Sequence, residues 1–355
     1  KKGFDCTVVC NDRDLGDINR YENIKDGVNY ISHTKVIYLR RGLLGYIKLL
    51  TMLCSKKNNF FHLNSYFSFK FSIFPRGVLW LIRSRKKVVL APRGELSAAA
   101  LTLKSAKKSY LIWLMSLIRM DNKFNWHFST NIEKVDAFNV YPDICKYHVV
   151  NDLSFPISIM DTCGFPPSVM DTDIRIVSCS RISRVKNIEF IFSVLQGVKA
   201  KVCIDFYGPI EDRTYFKELE ALVKLLPDNI YFKFCGMIDH NKLHNTLKNY
   251  NIFFHPSLSE NYGHVIAEAL FSGLPVLIGP NTPWSKVMND KVGWWFNFED
   301  ISSFQDVIDS YIVLHENEKL YLQKKVTAWA NANVNNNATI LGWENIFRNN
   351  NECKK

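Results

Sequence analysis

The sequence predicts an α/β protein of the doubly wound type. Short apolar runs alternate with helix-period segments along the whole chain. Most of those runs are continuously apolar rather than alternating, as strands covered on both faces of a parallel sheet are. The length is 355 residues, 47% hydrophobic and 22% charged, enough for two cores. That composition excludes a disordered chain. The longest apolar runs, such as 77–82 and 110–115, fall far short of the ~20 residues of a membrane span.

In chain order, a strand over 6–10 opens the sequence from a tight turn. An α/β domain does not normally begin there, so the first domain is expected to lack its initial strand, loop and helix. Further strands are expected over 35–39, 87–91, 125–129, 146–150, 175–180, 201–207, 230–235, 252–255 and 275–278. Between them, Leu43, Ile47, Leu50 and Cys54 fall on one helix face. Ile188, Ile191, Phe192 and Leu195 fall on another, with Asn187 placed to cap that helix. The stretch 151–173 holds Pro156, Gly164, Pro166 and Pro167 and has no sustained period, which makes it the expected domain boundary. Helical patterns return after Ile301, and the Asn-rich 331–339 reads as a turn between two of them. The expected division is a first domain over 1–160, a second over 174–335 and a terminal helix over 336–355.

The nine cysteines include no C-x-x-C pair, and several lie in strand-like runs. They read as buried reduced thiols of a cytoplasmic protein. The nine histidines are scattered without ligand spacing, so no metal site is expected. Charge is uneven. The chain carries a net +11, yet residues 1–150 hold 25 Lys and Arg against 11 Asp and Glu, a net of +14. Between 51 and 108 there are 12 basic residues and one acid, Glu95. Such a half suits nucleic acid, an anionic membrane or an anionic substrate, or is simply a solvated surface. No nucleic-acid-binding motif is present.

Two constellations carry chemistry. In IRIVSCSRISRVKN a strand ends near Ser180, Arg181 follows at once, and Lys186 precedes the next helix. Ligands of open α/β sheets bind beyond the carboxyl ends of the strands. A forked Arg and a point-charge Lys beside a positive helix start suit a diphosphate. In HPSLSENYGHVIAEALFSGLPVLIG a strand ends at His255, and Glu260 lies in the loop. Gly263 permits close backbone approach, and a helix starts near His264 with Glu268 one turn in. The amides of Gly263, His264 and Val265 would point out of the helix start toward phosphate or sugar oxygens. Glu260 would accept sugar hydroxyls and Glu268 ribose hydroxyls.

These segments resemble the Glu-x7-Glu signature and diphosphate-binding Arg and Lys of retaining family 4 (group 1) glycosyltransferases of the GT-B fold, of the bacterial surface-polysaccharide type. FYGP at 206–209 resembles the family's G-loop, FCGMID the stretch beside the nucleotide base, and GLPVLIGPNTPW the segment closing the site. Upstream, VVLAPRGELSAAALTLKSAKKSYL resembles a Pro-Arg-Gly segment of a bacterial branch. The resemblance implies two Rossmann-like domains facing a cleft and a terminal helix crossing back to the first. It implies transfer of a sugar from a nucleotide-diphosphate donor, UDP-sugar first among them, with retention and without metal or other cofactor. Arg181, Lys186 and Gly208 would hold the diphosphate. Glu260, Asn261, Tyr262, Gly263 and His264 would hold the sugar, Glu268 the ribose, and Gly236, Met237 and Ile238 would lie beside the base. His264 is expected to shape its loop rather than act as a base. Many members carry a His in the first domain near the reacting centre, where this chain offers Arg93, Gly94 and Glu95. Glu260 and Arg93 are thus the expected catalytic pair, Arg93 touching phosphate or acceptor. The implied acceptor is a lipid-linked sugar, an oligosaccharide or a lipopolysaccharide core. The basic residues Lys56, Lys57, Arg83, Arg85, Lys86, Lys87, Lys104, Lys107 and Lys108 would rest on the anionic inner face of the membrane, with no role in nucleic-acid binding. A sugar-nucleotide 2-epimerase or hydrolase on the same architecture is the alternative, and a non-catalytic nucleotide-binding module is another.

Overall fold

The structure, a computed structural model, describes residues 5–13, 18–22, 24–25, 27–31, 34–102, 105–118, 120, 123–154 and 174–348. The first half begins with β1 (Thr7–Asn11), β2 (Val28–Ile31) and β3 (Thr34–Leu39), followed by α1 (Leu43–Cys54). Next come β4 (Phe60–Asn64), a π-turn (Phe69–Ile73), α2 (Phe74–Leu81) and β5 (Lys87–Ala91). The half closes with α3 (Ala98–Thr102), α4 (Ser105–Leu117), β6 (Asn125–Phe128), α5 (Asn131–Val140) and β7 (Tyr147–Val149). Two sheets result. β1 and β3 pair in parallel with β2 antiparallel on the far side of β3, and β4-β5-β6-β7 form a parallel sheet. No ladder joins the two among the described residues.

The second half contains β8 (Ile174–Cys179), α6 (Ile188–Leu195), β9 (Val202–Tyr207), α7 (Arg213–Val223), β10 (Ile230–Gly236) and α8 (His240–Leu247). It continues through β11 (Ile252–His255), α9 (His264–Phe271), β12 (Val276–Ile278), α10 (Lys286–Asn289) and β13 (Gly293–Trp295). Last come α11 (Ile301–Ile312), α12 (Glu316–Asn333) and α13 (Asn337–Arg348). Its six strands form one parallel sheet in the order β10-β9-β8-β11-β12-β13. The order reverses beside β8, so the crevice between the ends of β8 and β11 is the place for a ligand. The central strands are buried on both faces: Ile176, Ile204, Phe206, Phe253 and Phe254 are almost wholly covered. One core lies against α6, α7 and α11, the other against α9 and α12. This is the two-domain, Rossmann-like GT-B architecture. α13 lies back on the first half. Trp343 donates its indole N–H to the Asn151 carbonyl at 2.8 Å and packs on His127, and Phe347 packs on Phe60.

Several expectations are corrected. Helix α1 buries Gly45, Leu49 and Leu53, whereas Leu43, Ile47, Leu50 and Cys54 face outward. The helix is apolar nearly all round, so periodicity leaves its phase open, and packing on β3 and α2 sets it. Asn187 stands at the start of α6 but in a left-handed conformation with no side-chain cap. The Tyr215 hydroxyl accepts from the Ile188 amide instead, at 2.9 Å. Of the described cysteines only Cys203 is buried; Cys6, Cys54 and Cys145 are exposed, and Cys10, Cys179 and Cys235 are half-buried. Cys235 lies on β10, which among the described residues is an edge strand of its sheet. Strands β2, β4 and β13 are additions to the expected set. The boundary stretch 155–173 and Lys104 lie outside the described residues.

Candidate active site

Lys186 and Glu260 meet because two loops are stitched together beneath them. Lys186 ends a 3-10 turn, Arg184–Lys186, that follows β8. The neighbouring Val185 carbonyl accepts from the Leu258 amide at 2.8 Å and from the Ser257 hydroxyl at 3.2 Å. The Glu260 amide is tied to the Asn281 carbonyl at 3.0 Å. The Lys186 ammonium thereby forms an ion pair with Glu260, and both side chains are only about an eighth exposed (13% and 12%). His255, buried at the end of β11, donates Nε2–H to the same carboxylate oxygen at 2.7 Å. Burial pushes the Glu260 carboxyl up, but His255 and Lys186 outweigh it and hold it at about 2. Glu260 is therefore a fixed anion, unsuited to releasing or taking a proton near neutrality.

Gly263 precedes α9 at φ +80°, and a Cβ there would stand 3.0 Å from the Ile266 side chain and 3.3 Å from the Trp284 indole nitrogen. The glycine fits that left-handed turn where another residue would be strained. It sets the first amides of α9, which have no intrahelical acceptor, beside Glu260. Glu268, on α9, is mostly buried, and burial raises its carboxyl pKa against the lowering effect of His240 and His264. The His240 ring nitrogen lies 3.4 Å from its oxygen. Gly208 follows β9, and a Cβ there would collide with the Ser180 carbonyl at 1.7 Å. That close approach draws the 206–209 turn against the start of the Arg181 loop. Arg181 itself is well exposed, and its Nη1 donates to both carboxylate oxygens of Glu211 at 2.8 Å. Gly236 ends β10 at φ +73°, and Met237 beside it is 78% exposed.

The first half faces this site with a cluster that sequence reasoning largely missed. Asn64, Arg93, Ser129 and Asp152 stand at or just beyond the carboxyl ends of β4, β5, β6 and β7. Arg93, at φ +57°, pairs with Asp152 and donates to the Ser129 hydroxyl at 2.7 Å and the Asn64 amide oxygen at 2.9 Å. Its guanidinium is thus already engaged on three sides. Glu133, buried at the start of α5, accepts the Gly94 and Ser129 amides at 2.8 and 2.6 Å and fixes both turns. Glu95 turns away, accepting from Ser65 and from the Tyr66 and Phe67 amides. The cluster touches the second half: Asn261 donates to the Ser129 hydroxyl at 3.2 Å. The shared signal of Asn64, Ser129 and Asp152 was a short polar residue closing an apolar strand. That signal is common in turns and does not by itself mark a site.

The glycosyl transferases group 1 family model matches residues 165–327, a stretch spanning the whole Lys186–Glu260–Glu268 arrangement. Among curated proteins, the GtfA subunit of the UDP-N-acetylglucosamine–peptide N-acetylglucosaminyltransferase of Streptococcus agalactiae is 30% identical over 112 residues, 31% of this chain and 21% of that protein. Its Streptococcus pneumoniae counterpart is 25% identical over 194 residues, 51% of this chain and 35% of that protein. The chain thus spans about a third or less of the length of these relatives. Among solved structures, Anabaena HepE in complex with UDP-glucose superposes with a TM-score of 0.70 at 15% identity, over 89% of this chain and 85% of that one. Sucrose-phosphate synthase from Thermosynechococcus elongatus gives 0.72 at 16% identity, over 98% and 89%. At such identities the likeness establishes the GT-B fold.

Proposed function

We propose that the protein is a retaining glycosyltransferase that takes a nucleotide-diphosphate sugar, UDP-sugar first, as donor. The observation that carries this is the buried Lys186–Glu260 pair beside the N-terminal turn of α9, at the carboxyl ends of β8 and β11. A diphosphate entering there meets the Lys186 ammonium and the α9 amides, which stabilise a leaving group without proton transfer. As an anion, Glu260 accepts sugar hydroxyls through the lone pairs that His255 and Lys186 leave, and Glu268 accepts from the ribose. Gly208, Arg181, Asn261, Tyr262, Gly263 and His264 complete the donor site, with Gly236, Met237 and Ile238 beside the base. Arg181 serves the diphosphate only on leaving Glu211. The group 1 match over 165–327 supports this reading. The UDP-glucose complex of HepE and the UDP-N-acetylglucosamine in the names of the streptococcal relatives favour a uridine nucleotide, with uracil as the base.

In this reading 1–160 presents the acceptor and 174–335 holds the donor, while of the terminal segment 336–355 the described helix α13 (Asn337–Arg348) lies back on the first half. The acceptor in this reading is a lipid-linked sugar or oligosaccharide of cell-surface polysaccharide synthesis, and the basic first half rests on an anionic membrane surface. No helix among the described residues is long and apolar enough to cross a membrane. Arg93 takes a supporting part, because its guanidinium is occupied by Asp152, Ser129 and Asn64. Titration calorimetry with UDP and UDP-sugars tests the donor site. The wild type is expected to bind UDP, and Lys186→Ala and Glu268→Ala to weaken it by about tenfold or more. Unchanged affinity in both variants would overturn the site assignment.

A further inference from the structure

Asp152 lies just beyond β7, with its side chain 11% exposed, and three groups converge on it. Arg93 forms an ion pair with one carboxylate oxygen. The Ser129 hydroxyl donates to the other at 3.1 Å, and His264 Nε2 stands 3.7 Å from that same oxygen. The first two partners belong to the sheet of the first half. His264 is the first residue of α9, in the donor-side half. The opposite nitrogen of its ring, Nδ1, lies 3.4 Å from the Ser154 hydroxyl, so both ring nitrogens face the 152–154 segment that leaves the first half. Close to this contact, a Cβ at Gly94 would lie 3.1 Å from Asn261, and Asn261 reaches Ser129. The two halves therefore meet at one polar seam, and Asp152 is its shared acceptor.

We propose that Asp152 is a positioning residue that clasps the cleft, setting the Arg93 turn of the first half and the 261–264 loop of the second in one relative placement. This rests on the reading of the cleft as a sugar-transfer site. A carboxylate suits the task because its two charged oxygens offer about four acceptor sites, where an amide oxygen or a hydroxyl offers two and carries no charge. Arg93, held left-handed at φ +57°, has its side chain aimed along the seam by the same carboxylate. The clasp acts on placement, so it governs turnover more than donor affinity, which the second half supplies.

The test is a double-mutant cycle on the full chain with Asp152→Asn and His264→Gln. UDP affinity by calorimetry is expected to stay within about threefold in Asp152→Asn, because Lys186 and Glu268 are untouched, whereas His264 belongs to the donor site and its variants are read through the cycle and backbone exchange alone. Turnover of a UDP-sugar should fall about tenfold in each single variant and little further in the double variant. Additive losses would overturn the clasp. Backbone hydrogen exchange supplies a readout free of activity. Asp152→Asn should raise exchange at 93–94 and at 261–264 together, and exchange unchanged at either segment would overturn the proposal. Should Asp152→Asn fail to fold, His264→Gln, at a half-exposed side chain, must raise exchange at 93–94 across the seam. Raised exchange in a protein whose wild type binds no UDP would sink the sugar-transfer reading and leave the clasp standing.

Discussion

Glu260 illustrates how one carboxylate is fixed by what surrounds it. His255 and Lys186 both donate to it within a buried loop, and they hold it at about 2, well below its ordinary 4.5. A carboxyl whose folded value is depressed stabilises the fold above the unfolded value, and that contribution is lost as pH falls through the folded one. Urea unfolding across pH should therefore show wild-type stability dropping between about 4.5 and about 2 more steeply than that of Glu260→Gln. At neutral pH the same substitution leaves a buried ammonium and imidazole underpaired, and a loss of about 2 kcal/mol is expected. Equal pH profiles for the two proteins would refute this account of the pair.

Elements differ in how they are held. The central strands of the second half are placed by burial on both faces, so their apolar runs define them. Helix α13 is placed by two large side chains, Trp343 on His127 and the Asn151 carbonyl and Phe347 on Phe60, and by the close approach of the Gly342 backbone to Val150. A Cβ at Gly342 would stand 2.9 Å from Val150. Trp343→Ala should remove the largest of these contacts and cost about 3 kcal/mol, read as a shift in the urea midpoint. A midpoint unchanged from wild type would show that α13 does not anchor to the first half through Trp343. Helix α1 makes the converse point. Its apolar residues run right round it, so periodicity points to the Leu43–Ile47–Leu50–Cys54 face, while contact with β3 and α2 buries the one containing Leu49 and Leu53.

At the scale of the molecule, charge separates the halves. The first 150 residues carry a net +14 and the rest a net −3. The cations of the second half that matter to the site are few and locally engaged, Lys186 with Glu260 and Arg181 with Glu211. In the first half Lys56, Lys57, Arg83 and Arg85 are exposed, as are Leu43, Leu44, Tyr110 and Trp113, whereas Arg76 is buried and Arg93 is engaged in the cluster; the exposed set is what a contact with anionic lipid would use. Sedimentation with vesicles should show binding to anionic but not to neutral lipid, weakening as salt rises. Equal binding to both vesicle types would count against this role.

The sequence by itself determined the α/β class, most strands of the six-stranded sheet, the turn carrying Lys186 and the loop and helix carrying Glu260 and Glu268, because those features rest on local signals: continuous apolar runs, a glycine before a helix, acids at fixed spacing. Tertiary structure decided the rest. It chose the buried face of α1, turned Arg181 onto Glu211, and gathered Asn64, Arg93, Ser129 and Asp152 from four strand ends. No local pattern announces that cluster, since its members lie up to 88 positions apart in the chain and become neighbours only when β4, β5, β6 and β7 align in parallel. The contact of Asp152 with His264 is more distant still, because it exists only where the two halves close on each other.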